Sequence, residues 1–402
     1  MKNSFINVAA TINNPKWNNI ISRDSHLYSR NTDIRSEFER DYTRIIHSSA
    51  YRRLKHKTQV FFSPENDHIC TRIEHVTHVE SISYTISNYL GLNTELTRAI
   101  SVAHDLGHSP FGHEGEHILS DLSKKDLGIS FWHEKNGLEL VDYIELLEDD
   151  NKYSRNLDLT YGVRDGIISH CGEIDENSIK PRDEFIDLSE YNYPNQFTPY
   201  TWEGCVVKVS DKIAYLGRDI EDAITLGILD EHLDELYTLL EYDSSNTKLN
   251  NTFIINYLVS DVCKNSSPEK GICFSDKAFA LMNKIKDFNY KNIYLSDRIQ
   301  PSRRFFNLVL SEIYTTLKSC FNGSSAFESI KSLQKFYPKL YSNFSEFLRD
   351  YYDWSNREQL RLKNKILFRN SSETDFYRAI IYFISGMTDN FAMETYNEII
   401  RF

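Results

Sequence analysis

Histidines are concentrated in one stretch of the chain, since ten of the 13 lie between residues 47 and 133. Within this stretch the adjacent His104 and Asp105 can reach one cation through an imidazole nitrogen and a carboxylate oxygen. His75 precedes them on a predicted helix, and Asp211 follows about a hundred residues later. Two histidines and two aspartates form a mixed nitrogen and oxygen set, which suits Mn²⁺, Fe²⁺ or Mg²⁺ better than a structural Zn²⁺ site. A histidine–aspartate dipeptide alone is weak evidence, so its surroundings decide the interpretation.

Helices are expected to position these residues, because most of the sequence follows a helical period. Gly91 is a natural C-cap, and Asn93 or Thr94 can cap the helix that follows it. Strand signals are weak, so the predicted fold class is all-α. Helices are predicted at residues 77–90, 94–107, 203–229, 275–287, 302–320, 325–350, 355–368 and 373–400.

The composition is that of a folded chain of 402 residues, 40% hydrophobic and 26% charged. No composition shift marks a boundary, so one α-helical domain over 1–402 is predicted, with a core of about 35–230 and a helical C-terminal part of about 231–402. No apolar stretch approaches the roughly 20 residues that span a membrane, and no signal peptide is apparent, so a cytoplasmic location is expected. The net charge of −12 disfavours non-specific binding of nucleic acid. The six cysteines show no CxxC pair and are expected to be free thiols.

Several segments along the chain resemble one known family. They are RDYTRIIHSSAYRRLKHKTQVF (40–61), TRIEH (71–75), AHDLGHSPFGHEGE (103–116), SFWHEKNG (130–137) and VSDKIAYLGRDIEDA (209–223). In order and spacing they resemble the bacterial dGTP triphosphohydrolases of the HD superfamily. YFISGMTDNFAM (382–393) is similar to the family's closing helix, so the resemblance spans roughly residues 35 to 395.

The resemblance implies an HD-domain helical bundle with a helical C-terminal extension. It also implies metal-dependent hydrolysis of dGTP, or of a broader set of dNTPs, to a deoxynucleoside and inorganic triphosphate. The implied metal ligands are His75, His104, Asp105 and Asp211. The implied catalytic residues are His113, which Glu116 orients for proton transfer, together with His108, which points at the phosphates, and His133. The implied substrate-binding residues are Gln59, Arg72, Lys212, Tyr215 and Asp219.

The spacing of these residues agrees with this grouping. Asp211, Tyr215 and Asp219 recur every four positions and therefore line one face of a helix. His113 and Glu116 flank a glycine, which suits a tight turn that aims both side chains inward. A triphosphate carries about four negative charges and needs a cation and several donors. The candidate donors are Arg72, Lys212, His108 and His133.

Four positions depart from the family's pattern without touching a predicted metal ligand: Ser109, Ser210, Glu134 and Asn390. Glu134 replaces the asparagine of the family's FxHN element. These departures bear on substrate preference and regulation more than on activity. Two other functions stay open, an HD phosphohydrolase acting on another nucleotide and a nucleotide-binding sensor without turnover.

Assembly is the last expectation from the sequence. Members of the family are typically homo-oligomers, and several respond to dNTPs at second sites. Aromatic residues are abundant after residue 230, and aromatic residues are enriched at protein interfaces. We therefore expect an even-numbered homo-oligomer, a tetramer or hexamer, with an allosteric dNTP as a further candidate ligand. Arg303 and Arg304 are candidates for contacts with triphosphate or a neighbouring subunit, and an ordinary solvated helix start is equally compatible with them.

Overall fold

The structure is a computed structural model, and it describes residues 2–25, 33–62, 66, 68–171, 176–240, 251–323, 326–369 and 372–401. Over these residues the fold is essentially all-α, which confirms the predicted fold class. A loop predicted at 241–251 lies almost entirely outside the described residues.

The described residues contain the following α-helices, numbered in chain order. They are Trp17–Ile20 (α1), Glu37–His47 (α2), Ser49–Arg53 (α3), Arg72–Leu90 (α4), Thr94–Ala103 (α5), Gly112–Leu127 (α6), His133–Glu139 (α7), Tyr161–Ser169 (α8), Trp202–Thr225 (α9), Leu233–Leu239 (α10), Asn251–Asn265 (α11), Asp276–Asn289 (α12), Gln300–Lys318 (α13), Ala326–Ser332 (α14), Pro338–Tyr351 (α15), Glu373–Ser385 (α16) and Asp389–Ile400 (α17). No helix among the described residues has both the length and the apolar character to cross a membrane.

Two small antiparallel sheets fasten loops to this helical framework. In the first, Leu147–Glu148 (β1) pairs with Ser154–Arg155 (β2). In the second, Ser178–Ile179 (β3) pairs with Ile272–Cys273 (β4), which ties the long segment before α9 to the start of α12. All six cysteines are buried and free, as the sequence predicted.

The apolar residues form two hydrophobic cores. The first core runs from Phe5 to Ile293 and is centred on α4, α5, α8 and α9. The second core contains residues of α13 to α17 and also those of α6 and the 140–144 turn. The N-terminal part of the chain therefore contributes to both cores, and the segment that links α5 to α6 lies between them. The predicted arrangement of one domain with a division near residue 230 stays a prediction.

The helix caps around α4 and α5 follow the sequence closely. Gly91 ends α4 with φ +81°, in the left-handed region that glycine adopts without strain. Asn93 accepts hydrogen bonds from the first amides of α5. This helix ends at Ala103 and not at Gly107. Gly107 lies so close to α7 that a Cβ atom there would stand 2.0 Å from the carbonyl oxygen of His133, so the chain leaves the helix to cross α7.

The C-terminal part differs more from the expectation. The prediction of a helix at 355–368 is wrong, because these residues form turns and irregular structure. Arg361 has φ +55°, and the backbone of this segment is hydrogen-bonded to Ser154 of β2, so it is not available to helical bonds. The helix predicted at 325–350 is interrupted before Pro338, because a residue that precedes proline disfavours the helical conformation. The helix predicted at 373–400 is divided by residues 386–388.

Candidate active site

Three of the predicted metal ligands converge from three helices. His75 lies on α4, His104 directly follows α5, and Asp211 lies on α9, and one donor atom from each falls within 4.8 Å of the others. His75 Nε2 lies 2.9 Å from Asp211 Oδ1, and His104 Nε2 lies 3.7 Å from the same oxygen. His104 Nδ1 donates to the carbonyl of Ser101 at 2.7 Å, which leaves Nε2 to accept.

The fourth predicted ligand, Asp105, lies beside this group. Its Oδ1 is 3.6 Å from His104 Nε2 and 3.1 Å from His108 Nε2. Its Oδ2 accepts from Arg72 at 2.8 Å and lies 3.8 Å from His75 Nε2. Burial alone would raise the pKa of Asp105, yet the positive charges of the neighbouring histidines and of Arg72 hold it well below its usual range. The carboxylate is therefore ionised and able to bind a cation.

These four residues fit a divalent cation on the chemistry of their donor atoms. His104 Nε2 is buried and has no hydrogen-bond partner among the described residues, which is costly for a buried imidazole nitrogen and would be relieved by a bound cation. Burial lowers the pKa of His104, but the nearby Asp105 and Asp211 raise it overall, to about 9. A proton and a cation would therefore compete for the same nitrogen.

A second group of donors adjoins the first. One donor atom from each of His108, His113, Glu116 and His133 lies within 4.8 Å of the others. The predicted tight turn between His113 and Glu116 is wrong, since both lie within the helix α6, where a spacing of three places them on one face. Glu116 Oε2 accepts from His133 Nδ1 at 2.8 Å and lies 3.5 Å from His113 Nδ1. That Glu116 orients His113 stays a prediction, and in this structure its closer partner is His133.

The predicted substrate-binding residues lie around these two groups. Gln59 is buried, and within the part of the chain that the structure describes its Oε1 has no hydrogen-bond partner. Arg72 is 1% exposed and donates to the carbonyl of Gln59 as well as to Asp105, so it contacts the predicted metal ligands directly. Lys212 is buried on α9 next to Asp211, and Tyr215 is half-buried one turn later.

Asp219, two turns after Asp211 on α9, has a partner that the sequence did not reveal. Tyr294 donates its hydroxyl to Asp219 Oδ2. Burial raises the pKa of Asp219 to about 7, although the bond from Tyr294 opposes the shift. Tyr294 ends a π-helical segment after α12, about 75 residues away in sequence, and no local pattern indicates the contact.

Sequence reasoning also missed His170, at the C-terminal end of α8. Its ring lies edge-on to His104, with centroids 5.0 Å apart, and 5.8 Å from the ring of His133. Its Nδ1 donates to the carbonyl of Ile167 at 2.6 Å. The available signal was a histidine at the end of the apolar run GVRDGIISH. His170 contacts both donor groups, so it belongs to the site.

Residues from the C-terminal part fix the loop that carries His108. Lys57 is buried and donates its ammonium to the carbonyls of His108 and Ser385. It therefore fastens the loop to the end of α16. Burial holds the pKa of Lys57 well below its ordinary value.

Asp389, at the start of α17, makes a parallel connection. Its carboxylate accepts from the amide of Thr58 at 2.8 Å and from the amide of Phe111 at 2.9 Å. Phe111 has φ +64°, a strained value for a residue with a side chain, and its ring stacks on Phe306 at 4.3 Å. Contacts from α13 and α17 therefore stabilise the strained entry into α6.

Comparison with known proteins agrees with this geometry. The HD domain family matches residues 72–216, a range that contains all four candidate metal ligands. A deoxyguanosinetriphosphate triphosphohydrolase-like protein of Caldanaerobacter subterraneus subsp. tengcongensis is 32% identical over 368 residues, which cover 91% of this chain and 86% of the relative. Proteins of the same description from Rickettsia felis and Desulfatibacillum aliphaticivorans are 30% and 36% identical, over 92% and 70% of this chain and 92% and 73% of the relatives.

Proposed function

Since the chain belongs to the family of deoxyguanosinetriphosphate triphosphohydrolase-like proteins with an HD domain, we propose that it hydrolyses dGTP, or a broader set of dNTPs, to a deoxynucleoside and inorganic triphosphate. The oxygen of water forms a bond to the α-phosphorus, and the bond from that phosphorus to the 5′-oxygen breaks. The 5′-oxygen takes up a proton as the deoxynucleoside leaves. The observation that carries the proposal is the direct contact between the HD ligand group and the His108, His113, Glu116 and His133 group.

The proposed cofactor is one divalent cation, Mn²⁺, Mg²⁺ or Fe²⁺, held by His75, His104, Asp105 and Asp211. When bound it would supply a Lewis acid and lower the pKa of a water molecule. Arg72 orients Asp105 through their 2.8 Å bond, so its proposed role shifts from direct phosphate contact toward support of a ligand.

The second group supplies donors and a proton. His108 and His133 stack with ring centroids 3.7 Å apart, and both are proposed to bind phosphate oxygens. His113 stands at the opening, with its side chain 65% exposed, where it would deliver a proton to the departing 5′-oxygen.

Selection for deoxyribose is assigned to Gln59 and Asp219. Gln59 Oε1, which lacks a partner among the residues that the structure describes, can accept from the sugar 3′-hydroxyl, and Tyr294 holds the Asp219 carboxylate in place for the same purpose. The half-buried Tyr215 would pack against C2′ and leave no room for a ribose hydroxyl. GTP turned over as fast as dGTP would contradict this assignment.

The decisive experiment identifies products. Purified protein with Mn²⁺ is incubated with each dNTP, and the products are separated by ion-exchange chromatography. Triphosphate with an equal amount of deoxynucleoside supports the proposal. Pyrophosphate or orthophosphate would indicate an HD phosphohydrolase of different specificity, and binding of dNTP without any product would indicate a sensor.

We further propose that the chain assembles into an even-numbered homo-oligomer, a tetramer or hexamer, and that a dNTP can bind at a second, allosteric site. Phe336 and Leu308, in the C-terminal part, are both more than half exposed and are available for subunit contacts. Light scattering with and without dNTPs tests this, and a 47.1 kDa particle under both conditions would contradict it.

A further inference from the structure

We propose that the chain binds a second divalent cation beside the first, with His133, Glu134 and His170 as its protein ligands. This site deepens the proposed function, on which it rests for its role in catalysis, but its existence depends only on the geometry of these three side chains. None of the three belongs to the predicted metal ligands.

The three side chains already lie at ligand spacing. One donor atom from each falls within 4.8 Å of the others. His133 Nε2 is 3.4 Å from Glu134 Oε1. Glu134 and His170 are each 5% exposed, so the donors face the interior of the site. A cation needs only small adjustments of these side chains to be bound by all three.

Both histidines are oriented as metal-ligating histidines usually are. A ligating imidazole commonly donates its other nitrogen to a carboxylate or a backbone carbonyl. His133 uses Nδ1 for Glu116, at 2.8 Å, and His170 uses Nδ1 for the carbonyl of Ile167, at 2.6 Å. Each ring thus offers Nε2 for a cation, and a cation bound by His133 would replace the direct contact that His133 is otherwise proposed to make with phosphate.

The balance of charge also favours a second cation. Five carboxylates line the site, those of Asp105, Asp211, Asp219, Glu116 and Glu134. Among the described residues only Asp105 of these is paired with an arginine, Arg72. The nearest contact of the buried Glu134 with a basic group is the 3.4 Å approach of His133. Removing a carboxylate from water without a positive partner is unfavourable.

The ammonium group of Lys208, on α9, already donates to the carbonyl of Cys171 and to Asn195 Oδ1. Carboxylate oxygen is a preferred ligand of Mn²⁺ and Mg²⁺. Glu134 supplies a carboxylate at the position where the family's FxHN element has the amide of asparagine.

His170 connects this site with the first one. Besides its place among the three ligands, one of its nitrogens lies within 4.8 Å of donor atoms of His104 and Asp105. The two cations would therefore be neighbours on either side of the His170 ring. A pair of cations can stabilise charge on both the attacking and the leaving oxygen of a phosphoryl group, which one cation does less well.

Stoichiometry tests the proposal without any substrate. The full chain is stripped with EDTA and titrated with Mn²⁺, and bound ions are counted by electron paramagnetic resonance of the free ion and by elemental analysis. We expect two Mn²⁺ per chain in the wild type. Glu134→Gln and His170→Gln should each bind one, and Asp211→Asn should also bind one because it loses the other site. Glu139→Gln is the matched control, since Glu139 is a half-buried glutamate of the same helix whose carboxylate accepts from Tyr382, and it should bind two.

A spectroscopic readout separates the two sites. Two neighbouring Mn²⁺ ions broaden each other's resonances, whereas the one-ion variants should give the sharp six-line spectrum of an isolated ion. One Mn²⁺ per wild-type chain, or two ions retained by both Glu134→Gln and His170→Gln, would overturn the proposal. Two bound ions without turnover of any dNTP would support the site and remove the proposed function. Turnover of a dNTP by a wild-type chain that binds a single ion would support the proposed function and overturn the second site.

Discussion

The two sides of the candidate site, the predicted metal ligands and the His113–Glu116 group, are positioned by different hydrophobic cores. His75, His104 and Asp105 are almost entirely buried, and they lie on or directly after helices of the first core. His113 and Glu116 lie on α6, which packs into the second core, and the side chain of His113 is mostly exposed. The buried side is fixed before substrate arrives, whereas the exposed side can adjust to it. We infer that binding of the first cation depends on the first side alone and that proton delivery depends on the second.

The largest effect is expected from breaking the buried side. Asp211→Ala removes the carboxylate that contacts both histidines, so bound Mn²⁺ should be lost from the first site and turnover should fall by about 10³-fold or more. Elemental analysis and product formation measure the two effects. Asp222→Asn, a buried aspartate further along the same helix, is the control and should keep both properties. Full turnover in Asp211→Ala would show that this side does not hold the catalytic cation.

The exposed side should respond differently to the equivalent change. His113→Ala should lower turnover by about 10²-fold, the usual scale for a lost acid–base group, with the Mn²⁺ content unchanged. His117→Ala changes an exposed histidine one turn later on α6 and should have no such effect. If His113→Ala lost its Mn²⁺, the division between the two sides would be wrong.

The pH dependence of stability tests the buried side further, because the carboxyl group of Asp219 is buried on the helix that carries Asp211. Its pKa is about 7 in the folded chain and 3.8 in the reference state. Between these two pH values the folded chain keeps a proton on Asp219 that the unfolded chain has lost, so the folded state becomes less stable as the pH rises. Between pH 5 and pH 7 this contribution should amount to roughly 2 kcal/mol. Urea unfolding of EDTA-treated protein measures it, and Asp219→Asn should be less sensitive to pH over this interval. Equal pH dependence in both proteins would contradict the shift.

The smallest effect is expected at the outer edge of the exposed side. Arg303 of α13 forms a 2.8 Å ion pair with Glu114 of α6, and both side chains are nearly one-third exposed. Such pairs contribute under about 1 kcal/mol, so Arg303→Ala should change the unfolding free energy and the KM for dNTP only slightly. Arg304→Ala, at the neighbouring exposed arginine, is the control variant. A tenfold rise in KM confined to Arg303→Ala would instead indicate contact with triphosphate.

Much of the helical framework could be predicted from the sequence, and the errors have a common physical origin. Gly91 and Asn93 act through the adjacent backbone, and their roles as caps were predicted correctly. The segment 355–368 has a helical pattern, but its backbone bonds to Ser154, about two hundred residues earlier. Local periodicity contains no information about such a partner.

The candidate site shows the same limit. Residues within recognisable segments, such as His75 and His104, were predicted to lie together, and they do. His170 and Tyr294 were not identified, because the fold brings them to the site from elements without a distinctive pattern. Glu116 was identified, but its choice of His133 as the closer partner depends on the relative placement of α6 and α7.

The contacts of Lys57 and Asp389 also set an order of events during synthesis on the ribosome. The four candidate metal ligands have all been synthesised once residue 211 has been translated, whereas Ser385 and Asp389 follow more than 150 residues later. Until then the loop before α6 lacks the carbonyl and carboxylate that fasten it. A nascent chain is therefore expected to assemble the candidate metal ligands well before the loop that carries His108 is fastened in place.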